Sequence, residues 1–262
     1  MYQKSDLLRG LRALGISSHD TLLVHSSMKA VGQVEGGADT VLDALTEVVS
    51  EGLLILPTHS WNTMGENHLL FDPLTEPSCV GVLTNLFFKR PGVLRSLHAT
   101  HSVAAFGKDA AEYVAGEEHV HTPCAREGCW GKLLDRHAKI LFLGCGLFRN
   151  TFLHGVEEWN GIENRLTSQM VPFQILLPDG KIIDTPLYRH YCPTCPDISQ
   201  NYIKMEPVFL KLGAAKEGRV GDARSVLCDA ASMAEITSQL LKRNPDLFGD
   251  ITPVPKSWYE SL

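Results

Sequence analysis

No basic block occurs in this 262-residue chain, where lysine and arginine adjoin only in the pairs Lys89-Arg90 and Lys242-Arg243 and the formal charge is −6. A nucleic-acid binder needs clustered cations to neutralise phosphates, so that class is excluded. Long apolar runs are also missing. The most hydrophobic stretches, Leu53 to Pro57 and Lys139 to Leu143, are strand-sized and far short of a membrane span. The N-terminal MYQKSDLLRGLRALG is interrupted by charges and lacks the apolar centre of a signal peptide, which predicts a cytoplasmic protein. Seven cysteines at irregular spacing do not make a disulfide framework. Neither GxxxxGK[ST] nor GxGxxG is present, so nucleotide hydrolysis and dinucleotide redox have no support. Low-complexity tracts are absent, and 44% hydrophobic with 21% charged residues is the composition of a folded globular protein.

What is there alternates between helical and strand-like patterns. Leu7, Leu8, Leu11 and Leu14 recur at helical spacing before Gly15. TLLVH follows as a buried strand, Ala38 to Val49 as a helix, and GLLILPT as a second strand. Residues 61–77 lose all regularity and read as an active-site loop. Helices are predicted over Cys79–Lys89, Lys108–Ala115, Trp130–Asp135 and Phe152–Asn164, with strands at 102–106 and 139–144. PFQILL and KIIDT flank Pro178-Asp179-Gly180, a hairpin signature. Helical patterns close the chain at Asp197–Leu212 and Asp229–Arg243. No linker divides the chain, so residues 1–262 are read as one layered α/β domain with an appended hairpin and C-terminal helices.

Ligands in such folds gather at strand ends. Three strand ends here are polar or glycine-rich: His25-Ser26-Ser27, Thr58-His59-Ser60 and Cys145-Gly146. Gly36-Gly37 precedes a helix, where free N–H groups receive anions, though the pair serves equally as a plain turn. His154 stands three and four residues before Glu157 and Glu158, on one helical face. A carboxylate beside an imidazole makes a general base; the same spacing also makes a surface ion pair. His98, His101 and Ser102 form either a binding edge or a structural cluster. His190, Cys192 and Cys195 offer metal-ligand chemistry but no fourth ligand at zinc spacing, so no metal is expected there. Cys124, Cys129 and Cys145 lie near glycines without a nucleophile signature and read as small buried hydrophobes.

Taken in order, LLVHSSMKAVGQVEGGADTVLDAL (22–45), ILPTHSW (55–61), RSLHATHSVAAFGKDA (95–110), KILFLGCGLFRNTFLHGVEEW (139–159) and KEGRVGDARSVLCDA (216–230) resemble the aminoglycoside N3-acetyltransferase family, in its shorter bacterial branch. The resemblance implies a layered α/β/α fold around a mixed sheet. It implies acetyl-CoA as co-substrate and a small-molecule amine as partner, the 3-amino group of a 2-deoxystreptamine ring in an aminoglycoside antibiotic. It places Ser26, Ser27, Met28, Val31, Gly32, Gly36, Gly37, Thr58 and Ser60 along the carrier's path. His154 becomes the base, supported by Glu157 or Asp197. Glu66, Asp72 and Glu158 are the carboxylates expected to hold the substrate's other ammonium groups. The chain departs from the pattern at TPCAREGCWGKL, where typical members carry a longer acidic loop, and at Gly155-Val156. A different acceptor amine, or a metal-dependent reaction at His190, Cys192 and Cys195, are the rival readings. The protein is expected to be a monomer or homodimer.

Overall fold

Three strands with no polar face occupy the middle of the molecule. The computed structural model describes residues 1–260. In it β1 (Thr21–Ser26), β2 (Leu53–Pro57) and β6 (Lys139–Leu143) lie side by side in parallel, β1 between the other two. Leu22, Leu23, Val24 and all five residues of β2 are buried, the mark of strands covered on both faces. Around them β4 (Leu94–Arg95) and β5 (Val103–Gly107) add antiparallel on one side, and β9 (Ala215–Val220) and β10 (Ala223–Asp229) on the other. The seven-stranded order is β4-β5-β2-β1-β6-β10-β9, the mixed sheet expected.

The two-residue period of a strand divides the core into two layers. Leu22, Val24, Leu54 and Leu56 face α1 (Lys4–Leu14), α3 (Gly37–Val48) and α4 (Val82–Phe87), and α2 (Met28–Val31) adds Val31 to the same layer. Leu23, Leu53, Ile55, Ile140 and Phe142 face the larger layer. There α5 (Ala110–Val114), α6 (Cys129–Asp135), α7 (Thr151–Trp159) and α9 (Ala230–Arg243) supply Tyr113, Trp130, Phe152 and Met233. A run of 3₁₀ helix over Ile198–Met205 leads into α8 (Glu206–Lys211), and α10 (Lys256–Tyr259) follows α9.

The predicted hairpin is present as β7 (Gln174–Leu176) and β8 (Ile182–Asp184), turning at Gly180 with φ +85°. It forms a second small sheet with β3 (Leu70–Phe71), a strand inside the otherwise irregular segment 61–77. Met64, Phe71, Phe173, Ile175 and Leu187 pack together beneath it. Two expectations change. α7 ends at Trp159 rather than Asn164, and α4 occupies only the middle of Cys79–Lys89, beginning after Gly81 at φ +127°. Residues 215–229, whose local pattern predicts no element, form the β9–β10 hairpin that completes the sheet edge. The expected final helix holds, with the Asp229 carboxylate accepting from the Ser232 N–H at 2.8 Å.

Candidate active site

The parallel strands end on the same edge of the sheet, and their loops open a cleft of about 830 Å³. Its floor is the end of β1 with the residues that follow (His25, Ser26, Ser27, Met28), Pro57 at the end of β2 with His59 beyond it, and Gly144-Cys145 after β6. Its walls are the first turns of α7 down to His154, residues 79–84, residues 189–192, and the start of the 3₁₀ segment.

His154 lines this cleft and is held from behind by a chain of buried groups. Its Nδ1 lies 2.7 Å from the Tyr202 hydroxyl, and that hydroxyl donates to Glu157 Oε2 at 2.6 Å. Glu157 Oε1 accepts from Arg165 Nε at 2.6 Å, and Arg165 also reaches Asp246. Glu157 and Tyr202 are fully buried. Tyrosine has one proton, and here it goes to the carboxylate, so the phenol oxygen must accept from His154 Nδ1–H. The lone pair of His154 is therefore on Nε2, which has no partner among the described residues. Burial, with His190 and Arg165 nearby, holds the imidazole well below its ordinary pKa and keeps it neutral.

A row of imidazoles extends from His154. His190 stacks on His154 with ring centres 4.2 Å apart, and His101 meets His190 at 4.7 Å, edge to face. His59 is 4.7 Å from His101, and His25 is sandwiched toward Phe142 and Trp130. His190 Nε2 bonds Glu158 Oε1 at 2.9 Å, and the same oxygen accepts from the Cys124 N–H at 3.1 Å. Burial pushes Glu158 up to about 7 and His190 and His25 down to about 3. His98 is structural: Nδ1 accepts from the N–H groups of Thr100 and His101, and Nε2–H donates to the Thr122 carbonyl.

The structure brings only some of the expected site residues together. Ser26, Ser27 and Met28 line the cleft, but the Ser27 N–H is already spent on the Leu143 carbonyl at 2.8 Å. Thr58 and Ser60 are fully buried and turned into the scaffold, on Ser102 and Arg95 and on the Ala99 carbonyl respectively. Val31 and Gly32 lie behind the cleft, where the Val31 carbonyl accepts from the Asp222 N–H and Gly32, at φ +86°, sits against the Asp222 carboxylate. Gly36 and Gly37 open α3 and do not line the cleft. Asp197 reaches the cleft wall, but it is exposed and makes no bond to His154. Glu66 and Asp72 lie outside the cleft; Asp72 closes its own turn on Leu74 N and Thr75 Oγ1. Glu158 is behind His190 rather than open to a ligand.

His190, Cys192 and Cys195 do not converge on a common point. Among the described residues the one group with ligand atoms gathered within 4.8 Å is Cys124, Glu158 and His190. Its hydrogen bonds are already satisfied, and burial raises the Cys124 thiol well above 9. Cys79 and Cys145 line the cleft, the latter pushed up to about 12 by burial. Tyr202 and the stacking role of His190 escaped sequence reading. Tyr202 lies 48 residues from its histidine, inside an amphipathic stretch where an aromatic reads as core.

The family described as aminoglycoside 3-N-acetyltransferase matches residues 23–242 of this chain. The chain belongs to that family. As an acyltransferase of this kind it is 28% identical over 289 residues to aminoglycoside N(3)-acetyltransferase III from Salmonella sp, covering 97% of this chain and 96% of the relative. It is 31% identical to aminoglycoside N(3)-acetyltransferase VII from Streptomyces paromomycinus, over 88% of each chain. Among solved structures it matches AAC-IIIb in a binary complex with CoASH at a TM-score of 0.80 and 25% identity, covering 97% of this chain and 99% of that one. The layered architecture of the N3-acetyltransferases is thus the architecture found here. Among the described residues no helix is long and apolar enough to cross a membrane.

Proposed function

We propose that the chain moves an acetyl group from acetyl-CoA to an amine in one ternary complex, with His154 as general base and the whole chain acting as one catalytic unit. The carrying observation is the Arg165–Glu157–Tyr202–His154 chain, which fixes the tautomer and leaves Nε2 to the cleft. The acetyl group comes as a thioester. His154 Nε2 takes the proton from the amine as its nitrogen bonds the carbonyl carbon, and the C–S bond breaks with its electron pair on sulfur. The developing imidazolium is stabilised through Tyr202 by Glu157. Ser26 and Ser27 hydroxyls, at the end of β1, are the donors offered to the oxyanion. Lys29, just past β1, and Arg149, past β6, line the cleft and are the cations offered to the carrier's phosphates.

The relatives' names supply the first acceptor class to assay, an aminoglycoside acetylated at N(3); the expected amine is the 3-amino group of a 2-deoxystreptamine ring. His154→Ala tests the base, with thiol release followed in the presence of such an acceptor. The expected loss in kcat/KM is about 10²–10⁴-fold with folding intact. Activity within about threefold of the parent would sink the assignment. A second reading, transfer to a different amine, is favoured by the charge of the lining: Lys29, Arg149, Arg165 and Arg189 against the single carboxylate of Asp197.

A further inference from the structure

Acetyl transfer through His154 leaves a thiolate that needs a proton, at the moment when His154 holds the proton of the amine. Attacking nitrogen and departing sulfur are bonded to one carbon in the tetrahedral intermediate, so an acid for the sulfur has to stand beside the base. Two rings lie against His154: Tyr202 at 4.9 Å between centres and His190 at 4.2 Å. Tyr202 is fully buried and its proton is committed to Glu157. His190 lines the cleft with 18% of its side chain open, and its Nδ1 has no partner among the described residues.

Behind His190 stands a carboxyl group. Glu158, its side chain 6% exposed, puts Oε1 2.9 Å from His190 Nε2, and the same oxygen accepts from the Cys124 N–H at 3.1 Å. Glu157 has Arg165, but no lysine or arginine lies within ion-pair distance of Glu158 among the described residues. His98, Glu127 and the Cys124 thiol also face Glu158, and His154 and His101 face His190. Burial lifts Glu158 to about 7 and drops His190 to about 3. Up to neutrality the shared proton therefore rests on the carboxyl oxygen, which donates to Nε2 and leaves Nδ1–H to the cleft. Titratable neighbours pushed apart in this way divide acid from base.

We infer that Glu158 and His190 together form the general acid for the carrier's leaving sulfur, opposite the Glu157–Tyr202–His154 base. This rests on the acetyl-transfer reading and supplies its second half. As the C–S bond breaks, His190 Nδ1–H gives its proton to sulfur while the Glu158 O–H gives one to Nε2. The products are a free thiol, neutral His190 in its other tautomer and the Glu158 carboxylate. The proton that His154 took from the amine goes to water in the cleft, and Glu158 recovers one from that water through His190, so the cycle neither gains nor loses a proton. The acid is present below a pH of about 7 and is lost as pH rises through it.

The test follows thiol release from acetyl-CoA in the parent, in Glu158→Gln and in His190→Gln, over about pH 6 to 8.5, with kanamycin, gentamicin and hydroxylamine as acceptors. Glutamine at 158 keeps a hydrogen bond to His190 but has no proton to release. The expected ratio of parent to variant kcat is about 10² at the acid end and shrinks to a few-fold at the alkaline end, with acetyl-CoA affinity by calorimetry unchanged. Taking the ratio on one acceptor cancels the titration of that acceptor's own amine. Should Glu158→Gln not fold, His190→Gln carries the same comparison. A ratio within about threefold throughout, or a larger one that does not move with pH, overturns the inference. The pair would then only hold the stack on His154, and acetyl transfer would stand. A parent that acetylates none of the three acceptors removes the transfer reading and this inference with it.

Discussion

Tyr202 decides which nitrogen of His154 holds the lone pair, because its own proton is committed to Glu157. Tyr202→Phe frees the imidazole to take either tautomer. We expect kcat/KM to fall about 10–100-fold, as for other orienting partners of a functional histidine, and the histidine ¹⁵N spectrum to show mixed tautomers. Glu157→Gln is a harsher change. It removes the buried charge 2.6 Å from the Arg165 guanidinium, 7% exposed, and leaves only the exposed Asp246 carboxylate at 3.3 Å. Breaking such a pair costs about 3–5 kcal/mol, to be read from urea denaturation. The L-H-x-x-E spacing made both His154 and Glu157 visible in the sequence. It suggested direct contact, however, whereas the carboxylate acts through a phenol contributed far along the chain. Asp197, the other carboxylate expected to support the base, stands exposed on the cleft wall. Sequence distance carries no record of such a meeting.

Strands buried on both faces announce themselves, and TLLVH, LLILP and KILFL were legible for that reason. The hairpin was legible from Pro-Asp-Gly. The β9–β10 pair was not, because β9 is an edge strand whose AKEGRV is mostly exposed and shows no apolar face. Glycine at the end of β5 has a role that no pattern displays. Gly107 adopts φ +110°, and a Cβ there would lie 2.4 Å from the Gly52 carbonyl oxygen. Gly107→Ala is therefore expected to cost about 1–3 kcal/mol from backbone strain alone, with the crowding added. A drop in thermal midpoint without change in KM checks it. The loops proved harder to read than the elements. Thr58 and Ser60 looked like a site wall from their position after β2, yet both hydroxyls are consumed inside the scaffold.

At the scale of the molecule, a row of buried imidazoles couples stability to pH. His25 falls to about 3, and His59 and His101 also go well below 6.5, each chiefly by burial. Folded, these rings stay neutral; unfolded, they bind protons below about 6.5. The unfolded state thus takes up more protons on acidification, and stability present above pH 6.5 is lost as pH falls. Each ring contributes roughly 1.4 kcal/mol per pH unit in that window. Glu158, raised to about 7, opposes the trend between its unfolded value and 7, since its burial penalty lessens once it is protonated. The expected outcome is a steep fall in urea midpoint from pH 6.5 to 4.5, made shallower when His25 is replaced by Asn. A reaction of this kind leaves a free thiol in the cleft at every turnover, next to Cys79 and Cys145. Both side chains are pushed above their ordinary range by burial, Cys145 to about 12, and so stay as protonated, unreactive sulfhydryls. Neither of these two thiols is therefore primed to exchange with a chromogenic disulfide reagent, which reads the released product thiol in preference to them.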